Sequence, residues 1–313
     1  MRPDDWHLTE GVDDFLARSG GFLRSRPALH TMPLTVTEKL LTDREAERGA
    51  GASVFGQLEL GGEICATFYQ RTPSGPLSLT STTGEQADLL AARLADLGRP
   101  VPGVSADHCT ATAFAEAWQR RTGAVPTLSQ RNRLYRLGTI TPPEPLPKGR
   151  SRAVGDQDHE QLVCWVAEFV ETVGEIPAVD IDSWACSRFA DRHFTFWQTP
   201  DGTPVSMAAT TVIVAGMVRV DPVYTPAHLR GCGYAGAVTV EVSRAALAAG
   251  ATDVVLFADP ANRASNALYQ RIGYVPVTDW AGYDFSWGAS GATQARQGWE
   301  KPSSSGPPSR SST

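Results

Sequence analysis

Residues 220–235, Val220-Asp221-Pro222-Val223-Tyr224-Thr225-Pro226-Ala227-His228-Leu229-Arg230-Gly231-Cys232-Gly233-Tyr234-Ala235, constrain this chain more than any other stretch. They read as a strand that enters a glycine-rich turn and then a helix. Arg230, Gly231, Gly233 and Ala235 sit where the strand ends and the helix begins. Such a turn aims several backbone N–H groups at one point, and the new helix adds the positive end of its dipole. Glycine at 231 and 233 permits positive φ and close approach of a ligand to the backbone. The combination is a cradle for a pyrophosphate.

A second segment follows about thirty residues later. After an apolar strand at residues 253–257 comes a helix-forming run that ends Leu268-Tyr269-Gln270-Arg271-Ile272-Gly273-Tyr274. Together, in this order and at this distance, the two segments resemble the GNAT superfamily of acetyl-CoA-dependent N-acetyltransferases. In that family the first segment is the strand, pyrophosphate loop and helix that bind coenzyme A. The second is the strand and helix that close on the Leu-Tyr signature. The resemblance covers residues 152–285 well and the earlier part of the chain by outline only.

The chain has 313 residues, 42% of them hydrophobic, enough for one large or two ordinary domains. Its formal net charge of −6 argues against nucleic acid, whose binding needs basic surface. The five cysteines, Cys65, Cys109, Cys164, Cys186 and Cys232, are scattered without Cys-x-x-Cys spacing. That pattern fits free thiols in a reducing cytoplasm and gives no metal site. The first residues lack an apolar signal region, and no apolar run is long enough to cross a bilayer.

Residues 139–150 hold four prolines and form an extended connector. The expected organisation is a degenerate GNAT-like domain at 1–138, this linker, a GNAT acetyltransferase domain at 151–287 and a disordered tail at 288–313. In the second half, a short strand at 152–154 precedes a helix at 159–173 with Asp158 as N-cap. A helix at 183–192 follows, then a hairpin with strands at 194–199 and 205–214, a strand at 217–225 and a helix at 234–249. The strand at 253–257, a helix at 265–272 and a strand at 276–285 complete it. In the first half, residues 34–41, 53–60, 63–70, 77–80 and 132–140 look strand-like, and 85–97 and 113–121 helical. The fold class is α/β: a mixed, mostly antiparallel twisted sheet flanked by helices, in two tandem copies. The first copy has Thr80-Ser81-Thr82-Thr83-Gly84-Glu85 where the second has its glycine turn.

The resemblance implies roles for individual residues. Backbone amides of Gly231, Cys232, Gly233, Tyr234 and Ala235 would hold the pyrophosphate, with Arg230 adding charge. The main chain of Val223, Tyr224 and Thr225 would pair with the pantetheine arm. Asp221-Pro222 fits a bulge that splays this strand from its neighbour. Tyr269 would protonate the leaving thiolate, since a phenol near ~10 holds its proton beside a thiol near ~8.5. Asn262 and Asn266 would contact the cofactor, with Asn262 equally able to cap its helix. Asp221 is the carboxylate nearest the slot and the first choice of general base. Glu168, Glu171, Glu175, Asp191 and His193 are alternatives, and Cys232 fills space. The expected reaction is acetyl transfer from acetyl-CoA to a small-molecule or peptide amine by direct attack in a ternary complex, without metal, nucleic acid or membrane. Two other readings stand beside it: a non-catalytic acyl-CoA-binding regulatory module, and an aminoacyl-tRNA-dependent peptidyl transferase, which the acidic charge disfavours. Oligomeric state and acceptor identity are not encoded in any motif.

Overall fold

The computed structural model describes residues 5–42, 53–174, 183–184 and 189–287. The expected tail, Cys186, Glu175 and residues 185–188 of the helix read at 183–192 lie outside the described residues, and the described residues of that helix, 183–184 and 189–192, are not α-helical. The strands are β1 (Trp6–Thr9), β2 (Val54–Leu60), β3 (Glu63–Gln70), β4 (Leu77–Leu79), β5 (Gly103–Asp107), β6 (Val125–Leu137), β7 (Arg150–Ala153), β8 (His193–Gln198), β9 (Pro204–Thr210), β10 (Met217–Tyr224), β11 (Asp253–Ala258) and β12 (Tyr274–Ser286). The helices are α1 (Val12–Ser25), α2 (Thr31–Thr42), α3 (Gly84–Asp96), α4 (His108–Thr122), α5 (His159–Thr172), α6 (Tyr234–Ala248) and α7 (Arg263–Arg271).

All the strands join one sheet in the order β1-β2-β3-β4-β5-β12-β6-β11-β10-β9-β8-β7. Read inward from each edge, the two halves are equivalent. Each has three antiparallel pairings, then one parallel pairing (β4 with β5, β10 with β11), then one antiparallel pairing. The helices also correspond: α3 and α6 follow the fourth strand of each half, and α4 and α7 follow the fifth. This is one fold present twice.

The sixth strands are exchanged. β12, from the end of the second copy, lies beside β5 of the first, and β6, from the end of the first, lies beside β11 of the second. β6 and β12 pair with each other from Tyr274 with Leu137 to Ser286 with Val125, forming the seam of the molecule.

The core follows the strand alternation. One face of the first copy packs on α3 and α4 through Leu90, Leu94, Phe114 and Trp118. One face of the second packs on α6 and α7 through Val218, Val220, Val238, Leu256 and Tyr269. On the opposite face, α5 covers Phe194, Phe196, Met207 and Tyr224. Helices α1 and α2 cover Phe55 and Tyr69 of the first copy together with Leu134, Met217 and Val255. The first copy's helices thus help cover strands of the second.

Residues 34–41, expected to be a strand, are helical in α2. Leu34, Thr37 and Leu40 recur every three residues and are buried. The hydroxyls of Thr35 and Thr37 bond back to the carbonyls of Thr31 and Pro33, each at 2.8 Å, which satisfies these β-branched residues inside a helix. Burial of the Leu face outweighs strand propensity here. Helix α1 escapes notice in the sequence because Gly20 and Gly21 interrupt its middle. Asp158 stands at the start of α5, but its carboxylate does not cap that helix. It binds Arg152 and accepts from the Gly155 amide at 2.8 Å, and Arg152 holds it below the usual carboxylate range.

Candidate active site

The bulge expected at Asp221-Pro222 is present. The β10–β9 register shifts between Val220 and Val223. On its other side β10 pairs with β11 only from Met217 to Arg219, although both strands continue. Beyond Arg219 the two strands part, and a slot opens between residues 220–224 and the end of β11.

The slot leads to the turn before α6. Gly231 and Gly233 have φ of 82° and 81°, the left-handed region that favours glycine. Gly233 is the N-cap of α6 and no side chain caps this end. The first amide of this stretch to find an acceptor is that of Ala237, which donates to the Gly233 carbonyl. Among the described residues, none accepts a hydrogen bond from the amides of residues 231–236. The turn is exposed at residues 231–233.

The equivalent turn of the first copy is closed. Thr83 caps α3, taking the Gln86 amide at 3.2 Å, while Gln86 Oε1 takes the Thr83 amide at 2.9 Å. The Thr82 amide donates to Thr110 Oγ1 at 2.9 Å, and that of Thr80 to the Thr67 carbonyl. These bonds zip β4 toward its neighbours where β10 stands open.

Of the strand residues expected to meet the pantetheine arm, Val223 packs toward the α6 side. The Tyr224 carbonyl accepts from Ser206 Oγ at 3.0 Å, and the Thr225 carbonyl from Arg230 Nε at 3.0 Å. Arg230 therefore braces the turn through its Nε. Cys232 is an exposed free thiol, 3.8 Å from the Arg230 carbonyl.

Tyr269 lies on α7 and is 8% exposed, with its ring between those of Tyr135 and Tyr274. Burial, then the nearby Asp221 charge, raises its pKa well above the usual phenol value. Asp221 Oδ2 lies 3.7 Å from Arg192 Nη2. Sequence reasoning missed Arg192, a largely buried side chain on the segment before β8 that carries no local signal. Asp191 beside it faces Lys39 of α2 at 3.9 Å, so the first copy reaches the surroundings of Asp221. Glu168 instead accepts from the Tyr224 hydroxyl at 2.6 Å, and Glu171 and His193 are exposed.

Asn262 caps α7 by accepting from the Ser265 amide at 3.0 Å. Asn266 is buried and fully engaged. Its amide nitrogen donates to the carbonyls of Asp259 and Asn262, and its oxygen accepts from the Tyr135 hydroxyl at 2.6 Å. Both amide hydrogens are spent within the protein, so Asn266 fixes the turn that enters α7.

The linker, another feature the sequence did not place, runs over the turn. Pro147 lies 3.7 Å from where Gly233 would carry a Cβ, and Pro143 3.2 Å from that of Gly236. Among the described residues no group of three or more His, Cys, Asp or Glu is placed to hold a metal ion. No described helix is long and apolar enough to cross a membrane.

Residues 203–281, which contain the slot, the turn and α7, match the FR47-like protein family. No match was found among curated proteins. Solved structures show the same architecture over nearly the whole chain. A GCN5-related N-acetyltransferase from Sphaerobacter thermophilus has a TM-score of 0.55 at 18% identity, covering 90% of this chain and 96% of its own. A tandem GNAT protein from the clavulanic acid biosynthesis pathway has a TM-score of 0.54 at 12% identity, with 90% and 98% covered. An acetyltransferase of the GNAT family from Colwellia psychrerythraea has 0.53 at 10%, with 90% and 100% covered. The chain has the fold of the GNAT acetyltransferases in two tandem copies, and a segment of the second copy is similar to the FR47-like family.

Proposed function

We propose that this protein is an acyl-CoA-dependent N-acyltransferase that uses acetyl-CoA and works in its second copy. One observation carries the reading: among the described residues, six consecutive amides, at residues 231–236, are unspent at an uncapped helix N-terminus that opens onto a parted pair of strands. That set fits a diphosphate on an extended arm. The amides of Gly231, Cys232, Gly233, Tyr234 and Ala235 would hold the diphosphate. Arg230 braces the turn and adds positive charge, and β10 around Val223 lines the arm.

Acetyl-CoA supplies an activated thioester. Tyr269 holds a proton at its hydroxyl, retained because burial disfavours the phenolate. It acts as the general acid. Asp221, oriented by Arg192, takes the proton of the incoming amine. Asn262 and Asn266 shape the turn beside the slot. The closed turn at residues 80–85 leaves the first copy as a brace without a cofactor site. Its boundaries are proposed at 1–138, with the linker at 139–150, the catalytic copy at 151–287 and a tail at 288–313. The four described cysteines are free, which supports a cytoplasmic setting.

Calorimetry with acetyl-CoA, followed by thiol-release assays over a panel of amines, tests the proposal. No uptake of acetyl-CoA removes it. Uptake without thiol release from any amine favours a non-catalytic acyl-CoA-binding module.

A further inference from the structure

A recess of about 570 Å³ opens between α5, the start of β9 and the end of β10, with Gln161, Trp165, Glu168, Tyr224, His228 and Leu229 in its wall. Its floor is rigid. Trp165 packs edge-on against Phe196 and also on Tyr224, whose hydroxyl donates to Glu168 Oε2 at 2.6 Å. The other oxygen, Oε1, is approached by the Cys164 thiol at 3.7 Å. Among the described residues Glu168 makes no ion pair. Arg230, in the turn beyond β10, spends its Nε on the Thr225 carbonyl. A carboxylate pinned by a neutral donor on an aromatic wall suits an external cation with an apolar stem.

The recess and the slot share one strand. Tyr224 packs with Trp165 and Phe189, and Asp221 meets Arg192 three residues after Phe189, so both side chains turn to the α5 face. At the rise of an extended strand, three residues span at most about 10 Å. Among the described residues, Asp221 has a cation beside it, Arg192, and Glu168 has none.

We infer that the acceptor is a linear diamine or polyamine, anchored by one ammonium group at Glu168 and Trp165 while a second nitrogen reaches Asp221. This rests on the acetyl-transfer reading above. The nitrogen at Glu168 serves as the charged anchor, and the nitrogen at Asp221 passes a proton to that carboxylate and attacks the thioester. The apolar stem between them lies along Tyr224 and Leu229.

The test is calorimetric binding of hexamethylenediamine and of hexylamine, at low salt, to the wild-type chain and to Glu168→Gln and Glu168→Asp. The expected result is that the diamine binds wild type about tenfold or more tighter than the monoamine, the range of a charge-assisted hydrogen bond. Glu168→Gln abolishes that preference and Glu168→Asp keeps part of it. Glu168 is exposed, and melting curves check that the variants fold. No binding of the diamine, equal affinity for both probes, or a preference that survives Glu168→Gln overturns the inference. Acetyl-CoA uptake is measured on the same samples. Its absence in wild type removes the transferase reading, whereas its presence with no diamine preference removes only this one.

Discussion

The carbonyl oxygen of Thr139 fills the place where any side chain on Gly273 would begin. Gly273 has φ of 105°, and its own carbonyl accepts from the Gly138 amide at 2.9 Å, while Ile272 accepts from Thr141. This knot ties the end of β6 and the start of the linker to the turn between α7 and β12. The glycine of the Leu-Tyr signature is thus also one of the points where the two copies are fastened.

Gly273→Ala meets backbone on one side and a left-handed φ on the other, and neither yields cheaply. The expected loss is about 2 kcal/mol or more, among the larger effects of single substitutions. Urea unfolding of the variant against wild type measures it. An unchanged midpoint would show that the knot is loose.

Gly233→Asp places a carboxylate where the diphosphate is proposed to sit, at the N-cap position that Thr83 holds in the first copy. Asp tolerates left-handed φ better than most residues and favours a helix N-terminus. The left-handed φ strains any side chain, so stability should fall by about 1 kcal/mol, while acetyl-CoA affinity falls at least about a hundredfold, or ~2.7 kcal/mol. Calorimetry and a melting curve on one preparation separate the two effects.

The Tyr269 hydroxyl donates to no described residue, so Tyr269→Phe should leave stability almost untouched. Loss of a general acid lowers turnover by roughly 10²–10⁴. Steady-state kinetics on a substrate found by thiol release should show kcat falling while the acetyl-CoA Kd holds. Wild-type kcat in the variant would remove the role.

Tyr224 gives a pH signature. Burial, then its bond to the Glu168 carboxylate, pushes its pKa up to about 12, with Arg230 opposing. A folded pKa above the unfolded value of ~10 means that the stability it contributes is fully present below pH ~10. It is lost as the pH rises through the folded value. Wild type should therefore exceed Tyr224→Phe in unfolding free energy at pH 9 and lose that margin toward pH 12. Tyr269 and Tyr274 shift the same way and cancel in the comparison. A constant margin across this range would contradict the assignment.

The exchange of β6 and β12 makes the copies interdependent. Residues 1–148 alone would leave β5 without β12 and expose the long edge of β6. Expressed singly, residues 1–148 and 149–313 should each aggregate, and together they should form a soluble pair. Size-exclusion chromatography distinguishes these outcomes, and a monomeric, folded fragment 1–148 would refute the dependence.

Local chemistry made much of the second copy legible. Glycines at 231 and 233, proline at 222 and the Leu268-Tyr269 signature each impose a backbone or side-chain state that neighbours in sequence determine. The turn, the bulge and the helix cap at Asn262 therefore stand where the residues put them. The first copy was less legible because α2 carries strand-forming residues whose helical face is chosen by packing against strands of both copies. Arg192 beside Asp221, Tyr135 on Asn266 and Pro143 over Gly236 join residues dozens to more than a hundred positions apart. Nothing local encodes such pairs. The strand exchange is of the same kind: only the assembled sheet selects which neighbours β6 and β12 take. Sequence alone thus determined the fold class, most elements of the second copy and the turn that could hold a diphosphate. Tertiary structure decided which amides stay unspent, which carboxylate is neutralised and how the copies interlock, because those outcomes depend on hydrogen bonds and charges brought together only by folding.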